Sequence, residues 1–106
     1  MARAGKAPKT YDNFVERFPE IGRAWELVRE AEAKGTLDEK TVRLIKLGVA
    51  LGSMKEGAVH SAARKAMAAG ATREDVQQVI ALAASTLGFP STVAVYSWIR
   101  DVLDKD

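Results

Sequence analysis

Apolar residues recur at helical spacing along most of the chain, and glycine and proline separate the periodic segments. The first set is spaced i, i+3, i+4, i+7 and predicts a short helix over residues 11–18, formed by Tyr11, Phe14, Val15 and Phe18. Pro19 suits the first turn of a second helix, and Gly35 suits its end. The N-terminal part of the chain is therefore predicted to be a pair of helices.

The rest of the chain predicts four more helices. Thr36 or Asp38 is suited to cap a helix that is apolar on nearly all sides and ends near Gly52 and Ser53. A helix over residues 54–69 follows. A T-x-x-D start signal at Thr72 opens the next. Pro90 opens the last, which includes "STVAVYSWI" in spite of its β-branched residues.

No convincing strand pattern is present, so the fold class is predicted to be all-α, a bundle of five to six helices. We expect a flexible basic tail over residues 1–10 and a single helical domain over residues 11–106. Alanine is abundant between residues 58 and 84, and small side chains let helices approach closely, within one chain or between copies. Helix propensity alone also accounts for these alanines.

Composition limits the classes of function. The chain has 106 residues, a formal net charge of +2 and no cysteine, which rules out disulfides, thiolate metal sites and thiol redox chemistry. No segment approaches the ~20 apolar residues of a membrane span, and the N-terminus lacks the apolar region of a secretory signal. We expect a cytoplasmic protein that needs no metal or cofactor and binds neither nucleic acid nor membrane.

The only histidine, His60, lies four residues after Glu56, so the two side chains share one face of their predicted helix. Both border an apolar stripe made of Val59, Ala62, Ala63, Ala66 and Met67. A half-buried histidine beside a carboxylate can transfer a proton near neutral pH. The same pair also occurs as an ordinary structural feature of helices, so the residues alone leave both readings open.

The segment "TVRLIKLGVALGSMKEGAVHSAARKAMAAGATREDVQQVIALAASTLGFPSTVAVYSWIRDVL" resembles the carboxymuconolactone decarboxylase and alkylhydroperoxidase D superfamily. The resemblance is carried by an ordered set of features: an apolar helix, a short break, a helix with a histidine, then "AGATREDV" and "LGFPSTVAV". It covers residues 37–103. It implies the helical fold of that superfamily and assembly into a homo-oligomer, a trimer or a hexamer.

The resemblance also assigns roles to residues. The peroxidase branch carries C-x-x-C-x-x-x-H, and this chain has Ser53 and Glu56 at the two cysteine positions. The decarboxylase branch is the closer match. It implies that His60 donates a proton, that Glu56 orients it and that Ser53 donates a hydrogen bond. Cations that can attract a small anionic, lactone-like substrate are Arg43, Lys55 and Arg64.

Three functions follow from these residues. The first is a decarboxylase-like or isomerase-like enzyme acting through His60 and Glu56. The second is a non-catalytic module of the same fold that binds a small ligand or serves assembly. The third is a peroxidase-like activity without thiols, which the missing cysteines disfavour.

Three aromatic residues either line a pocket or pack in a core or interface: Trp25, Tyr96 and Trp98. Their helical spacing favours the packing role.

Overall fold

A computed structural model describes residues 9–104 of the chain, and the basic segment predicted to be a tail lies almost entirely outside them. The described residues form six α-helices and no strand, which confirms the all-α prediction. They are α1 (Lys9–Arg17), α2 (Pro19–Ala33), α3 (Glu39–Ser53), α4 (Glu56–Ala68), α5 (Arg73–Leu87) and α6 (Phe89–Leu103). By its contacts, the chain divides into two compact units, residues 1–36 and residues 37–106.

The first unit is a pair of helices joined without a loop, because Phe18 both follows α1 and caps α2. The rings of Phe14 and Phe18 lie 5.1 Å apart, and the Arg17 guanidinium lies 5.0 Å from the centre of the Phe18 ring. The two helices approach closely at Gly22, where a Cβ atom would come within 2.8 Å of Val15 Cγ1. No residue of α1 or α2 is buried.

The second unit is a four-helix arrangement with a continuous core. α3 packs against α4 and α5, and α6 packs against the same two helices, so α3 and α6 lie at opposite corners. The fully buried larger side chains come from all four helices: Leu47, Leu51, Val59, Val76, Val95 and Ile99. Burying a side chain of this size contributes about 1.5–3 kcal/mol to stability.

Polar groups cap two of these helices at their starts and join α5 to α6. Asp38, rather than Thr36, caps α3 by accepting a hydrogen bond from the Thr41 N–H at 2.8 Å. Thr72 and Asp75 form a complete capping box at the start of α5, as the T-x-x-D signal predicts. The Arg73 side chain donates to the Leu103 carbonyl at 3.0 Å and joins the start of α5 to the end of α6.

The break between α3 and α4 differs from the prediction. Met54, expected inside the second of these helices, instead ends α3 in the left-handed conformation, with φ 56° and ψ 31°. Its N–H donates to the Leu51 carbonyl, and Lys55 is the residue that precedes α4. The prediction was wrong here because a side-chain-bearing residue adopts this conformation only at a cost, which makes glycine the usual signal.

Two aspartates at helix starts have lowered pKa values. The hydrogen bonds from Thr41 lower the pKa of Asp38, and Lys40 lowers it further. The backbone hydrogen bond from Thr72 lowers the pKa of Asp75, and Lys40, whose Nζ is 3.4 Å from the Asp75 carboxylate, adds to the effect. Both carboxylates therefore stabilise the fold in their charged form.

Met54→Gly is expected to be more stable than Met54→Ala by about 1 kcal/mol, because both variants lose the same side-chain contacts but only glycine adopts a left-handed conformation without strain. Urea unfolding followed by circular dichroism measures the difference. Equal midpoints for the two variants would show that the left-handed residue at this break stores no strain.

Stability is expected to fall as the pH drops below about 4, the ordinary range of an aspartate. A carboxyl with a lowered pKa in the folded state stabilises the protein above its unfolded pKa, and this stabilisation is lost as pH falls through the folded value. Asp38→Asn keeps a good cap but does not titrate, so its acid-induced loss of melting temperature should be smaller than that of the parent. Asp101→Asn, at an exposed position inside α6, is the control and should follow the parent curve.

Candidate functional site

The buried stripe of α4 determines where the candidate catalytic side chains lie. Val59, Ala63 and Ala66 are fully buried in the core. His60 lies one residue after Val59, and Glu56 lies three residues before Val59. Both side chains therefore occupy the same edge of the buried stripe. The His60 side chain retains 26% of its exposure and that of Glu56 retains 55%.

His60 is the one histidine of the chain, and its Nε2 atom is buried. Among residues 9–104 no hydrogen-bond partner reaches this atom. Glu56 Oε2 lies 3.8 Å away, close enough for an ion pair with a protonated imidazole but too far for a hydrogen bond. A buried ring nitrogen without a partner is costly, and a modest movement of Glu56 would bring its carboxylate within hydrogen-bonding distance.

Ser53 lies at the break, but its hydroxyl is already engaged within the backbone. It donates to the Ala50 carbonyl at 2.6 Å and accepts a hydrogen bond from the Lys55 N–H at 3.3 Å. These two bonds connect the last turn of α3 to the residue that precedes α4. In this arrangement Ser53 stabilises the break that orients α4, and its proton is not directed outward.

The structure does not bring the three candidate cations together. Arg43 lies on α3, where its Nε donates to Glu39 at 2.9 Å, and it lines a concavity with Ala58, Ala62 and Lys65 of α4. At 100° per residue those α4 residues lie roughly opposite His60 on the helix. Lys55 and Arg64 are exposed, at the start and in the middle of α4. Arg64, four residues after His60, is the cation nearest to its face.

The sequence reading missed a larger groove between α3 and α5, with a volume of about 560 Å³. Its walls are mostly apolar and include Leu44, Ile45, Val79, Leu82 and Leu87, with Gly48 and Gly52 on the α3 side. The sequence feature that pointed to this groove was the apolar character of α3 on nearly all sides. One helix cannot bury every face in a small unit, so part of this apolar surface stays exposed.

The three aromatic residues do not line this groove. Trp98 is partly buried and packs against the core, as expected for the packing role. Trp25 and Tyr96 are exposed to 54% and 43%.

Within residues 9–104, no three side chains of histidine, cysteine, aspartate or glutamate lie close enough together to hold a metal ion. In the same part of the chain no helix is long and apolar enough to cross a membrane. What the structure does provide is one carboxylate–imidazole pair at the edge of a packed helix.

Comparison with known proteins identifies the family. The model of the carboxymuconolactone decarboxylase family matches residues 19–101, which is more than half of the chain and includes α2, beyond the residues 37–103 that carry the motifs. Searches of curated proteins and of solved structures gave no match. By this family match and the six-helix fold, the chain belongs to the carboxymuconolactone decarboxylase family, as a member without cysteine.

Proposed function

We propose that this protein is a decarboxylase-like enzyme acting on a small anionic, lactone-like substrate, with His60 as its proton-transfer group. The observation that supports the proposal best is the buried, unpartnered Nε2 of His60 beside the Glu56 carboxylate at 3.8 Å. A structural histidine normally satisfies its buried nitrogen within the protein, whereas a proton-transfer group must leave that atom available to substrate. Membership of the carboxymuconolactone decarboxylase family supports a reaction of this class.

The chemistry matches these groups. When the bond between a ring carbon and the substrate carboxyl breaks, CO2 leaves and the electron pair passes into the ring as a dienolate. The protonated His60 then donates its Nε2 proton to carbon, and solvent returns a proton to the imidazole. The Glu56 carboxylate lies 3.8 Å from Nε2, and its exposed side chain can approach this atom by rotation. An isomerisation would use the same proton transfer without loss of CO2.

The remaining candidates have supporting roles in this proposal. Ser53 fixes the α3–α4 break, and so the direction of α4, through its bonds to Ala50 and Lys55. Arg64 and Lys55 attract the anionic substrate to the His60 side of α4. Arg43, whose position is roughly opposite, contributes only a long-range field, which salt screens over about 10 Å. The cytoplasmic location remains a prediction.

The proposal is tested by an ultraviolet assay of purified protein with 4-carboxymuconolactone. His60→Gln should lower kcat/KM by at least about 100-fold, the usual contribution of a general acid, and Glu56→Gln should lower it less. Ala81→Gln, on the exposed face of α5, is the control and should retain parental turnover. A thermal melt of each variant shows that it is folded.

Two results would contradict this proposal in different ways. Turnover that is unchanged in His60→Gln removes this residue from the chemistry. No turnover by the parent protein at high enzyme concentration removes this substrate and favours the second candidate function.

The second candidate is a non-catalytic module that assembles with further copies or binds a small ligand, and the α3–α5 groove supports it. Its volume of about 560 Å³ is that of a small-molecule pocket. Its apolar walls also suit contact with another copy, because Leu82 and Ile45 are exposed to 71% and 51%. We favour a second copy as the occupant, in a trimer or hexamer, since a domain of this size gains stability from assembly.

Light scattering coupled to size-exclusion chromatography tests assembly. The parent should have a mass that is a multiple of 11.5 kDa, and Leu82→Glu should shift it toward the monomer, because an acid in an apolar contact loses its hydration. Val49→Glu is matched to it, since Val49 is 70% exposed on α3 and does not line the groove. A monomeric parent, or dissociation by Val49→Glu alone, would exclude this groove as the interface.

A further inference from the structure

The outer face between α3 and α4 has two adjoining concavities that share Arg43 and Lys65. The first has a volume of about 200 Å³ and is also lined by Lys46, Ala58, Ser61 and Ala62. The second has a volume of about 260 Å³ and is also lined by Glu39, Ala68 and Ala69. We call the two together the α3–α4 groove. The early residues of α3 face the late residues of α4 across it, as in an antiparallel helix pair.

Positive charge dominates this groove. Arg43 and Lys65 line it against one carboxylate, Glu39, while Lys46 already has another interaction partner. That carboxylate bonds to Nε of Arg43, which uses one of the five N–H donors of the guanidinium. The whole segment from residue 37 to residue 70 carries six lysines and arginines against three aspartates and glutamates. The local field therefore favours an anion.

Small side chains leave space within this groove. Four of its lining residues are alanines, which do not fill the space between the cations: Ala58, Ala62, Ala68 and Ala69. Ser61, half-buried in the floor, adds a hydroxyl that can donate to an oxygen atom. Arg43 and Lys65 approach from different helices, so they can contact different oxygens of one anion.

We propose that the α3–α4 groove binds the phosphate group of a small metabolite, with Arg43 and Lys65 as its main ligands. A phosphate carries up to two negative charges near pH 7 and offers several acceptor oxygens. The guanidinium fork suits two of those oxygens, and the ammonium group supplies a compact charge. Each concavity is smaller than the 300–1,000 Å³ typical of pockets for larger ligands, which limits the ligand to a small molecule. The site lies roughly opposite His60 on α4 and is independent of the chemistry proposed there.

The test is a titration of the ¹⁵N-labelled full-length protein with inorganic phosphate, at constant ionic strength maintained with chloride, followed by amide chemical shifts. The parent should show saturable shifts around the α3–α4 groove. Arg43→Gln and Lys65→Gln should each weaken binding by about tenfold, since each removes charged hydrogen bonds to the anion. Arg100→Gln is the matched control: it removes the same charge from an exposed position of α6 and should change the affinity by less than about twofold, as expected for a distant surface charge.

Other outcomes would overturn the proposal. Shifts that do not saturate, or an equal loss in Arg100→Gln, would mean that only the general positive field attracts phosphate. A parallel titration with citrate distinguishes the chemical class. Tighter binding of citrate that is lost in the same two groove variants would assign the groove to a polycarboxylate instead. Because Lys65 is exposed, its variant should remain folded and provides the test even if Arg43→Gln does not fold.

Discussion

The burial of one stripe of α4 determines the surroundings of the candidate functional residues on this helix. Val59, Ala63 and Ala66 are fully buried, and two of the three are alanines, so the neighbouring helices can approach this face closely. Because an α-helix has 3.6 residues per turn, the burial of this stripe fixes the direction of every other side chain on α4. His60 must lie on one edge of the stripe and Lys65 on the other. Packing therefore separates the two proposed sites on this helix, the proton-transfer site at His60 and the anion site at Lys65.

How far the sequence predicts the structure depends on the range of each interaction. The capping box of Thr72 and Asp75 is local and visible in four consecutive residues, and the structure has it as predicted. The Met54 turn was missed because its conformation departs from the usual residue preference, and Gly52 two residues earlier gave the expected stop signal. The end of α3 itself was predicted correctly from Gly52 and Ser53, since α3 ends at Ser53.

The candidate functional residues also differ in whether their contacts are local in the sequence or depend on how two helices pack. The spacing of Glu56 and His60 within one helix was enough to predict that they lie together, and their side chains approach to 3.8 Å. The position of Arg43 depends on the register between α3 and α4, which no single-helix pattern contains. Its contact with Glu39, four residues earlier, could have been read from the sequence. Its proximity to Lys65 could not, because that depends on how the two helices pair.

Because His60 and the cations of the α3–α4 groove lie on different sides of α4, other groups must hold an anionic substrate beside His60. On the His60 edge of α4, the Glu56 carboxylate lies 3.8 Å from the His60 Nε2 atom. An anionic substrate approaching Glu56 would be repelled unless a positive group lay close to its carboxylate. Arg64 supplies such a charge from the same helix at i+4, and a second copy could supply another across an apolar contact.

Decarboxylation also gains from a weakly held carboxylate, since tight binding of that charge would stabilise the ground state rather than the transition state. Arg43 and Lys65 line the α3–α4 groove, roughly opposite His60 on α4, so in the two proposals the groove and the His60 edge take different anions.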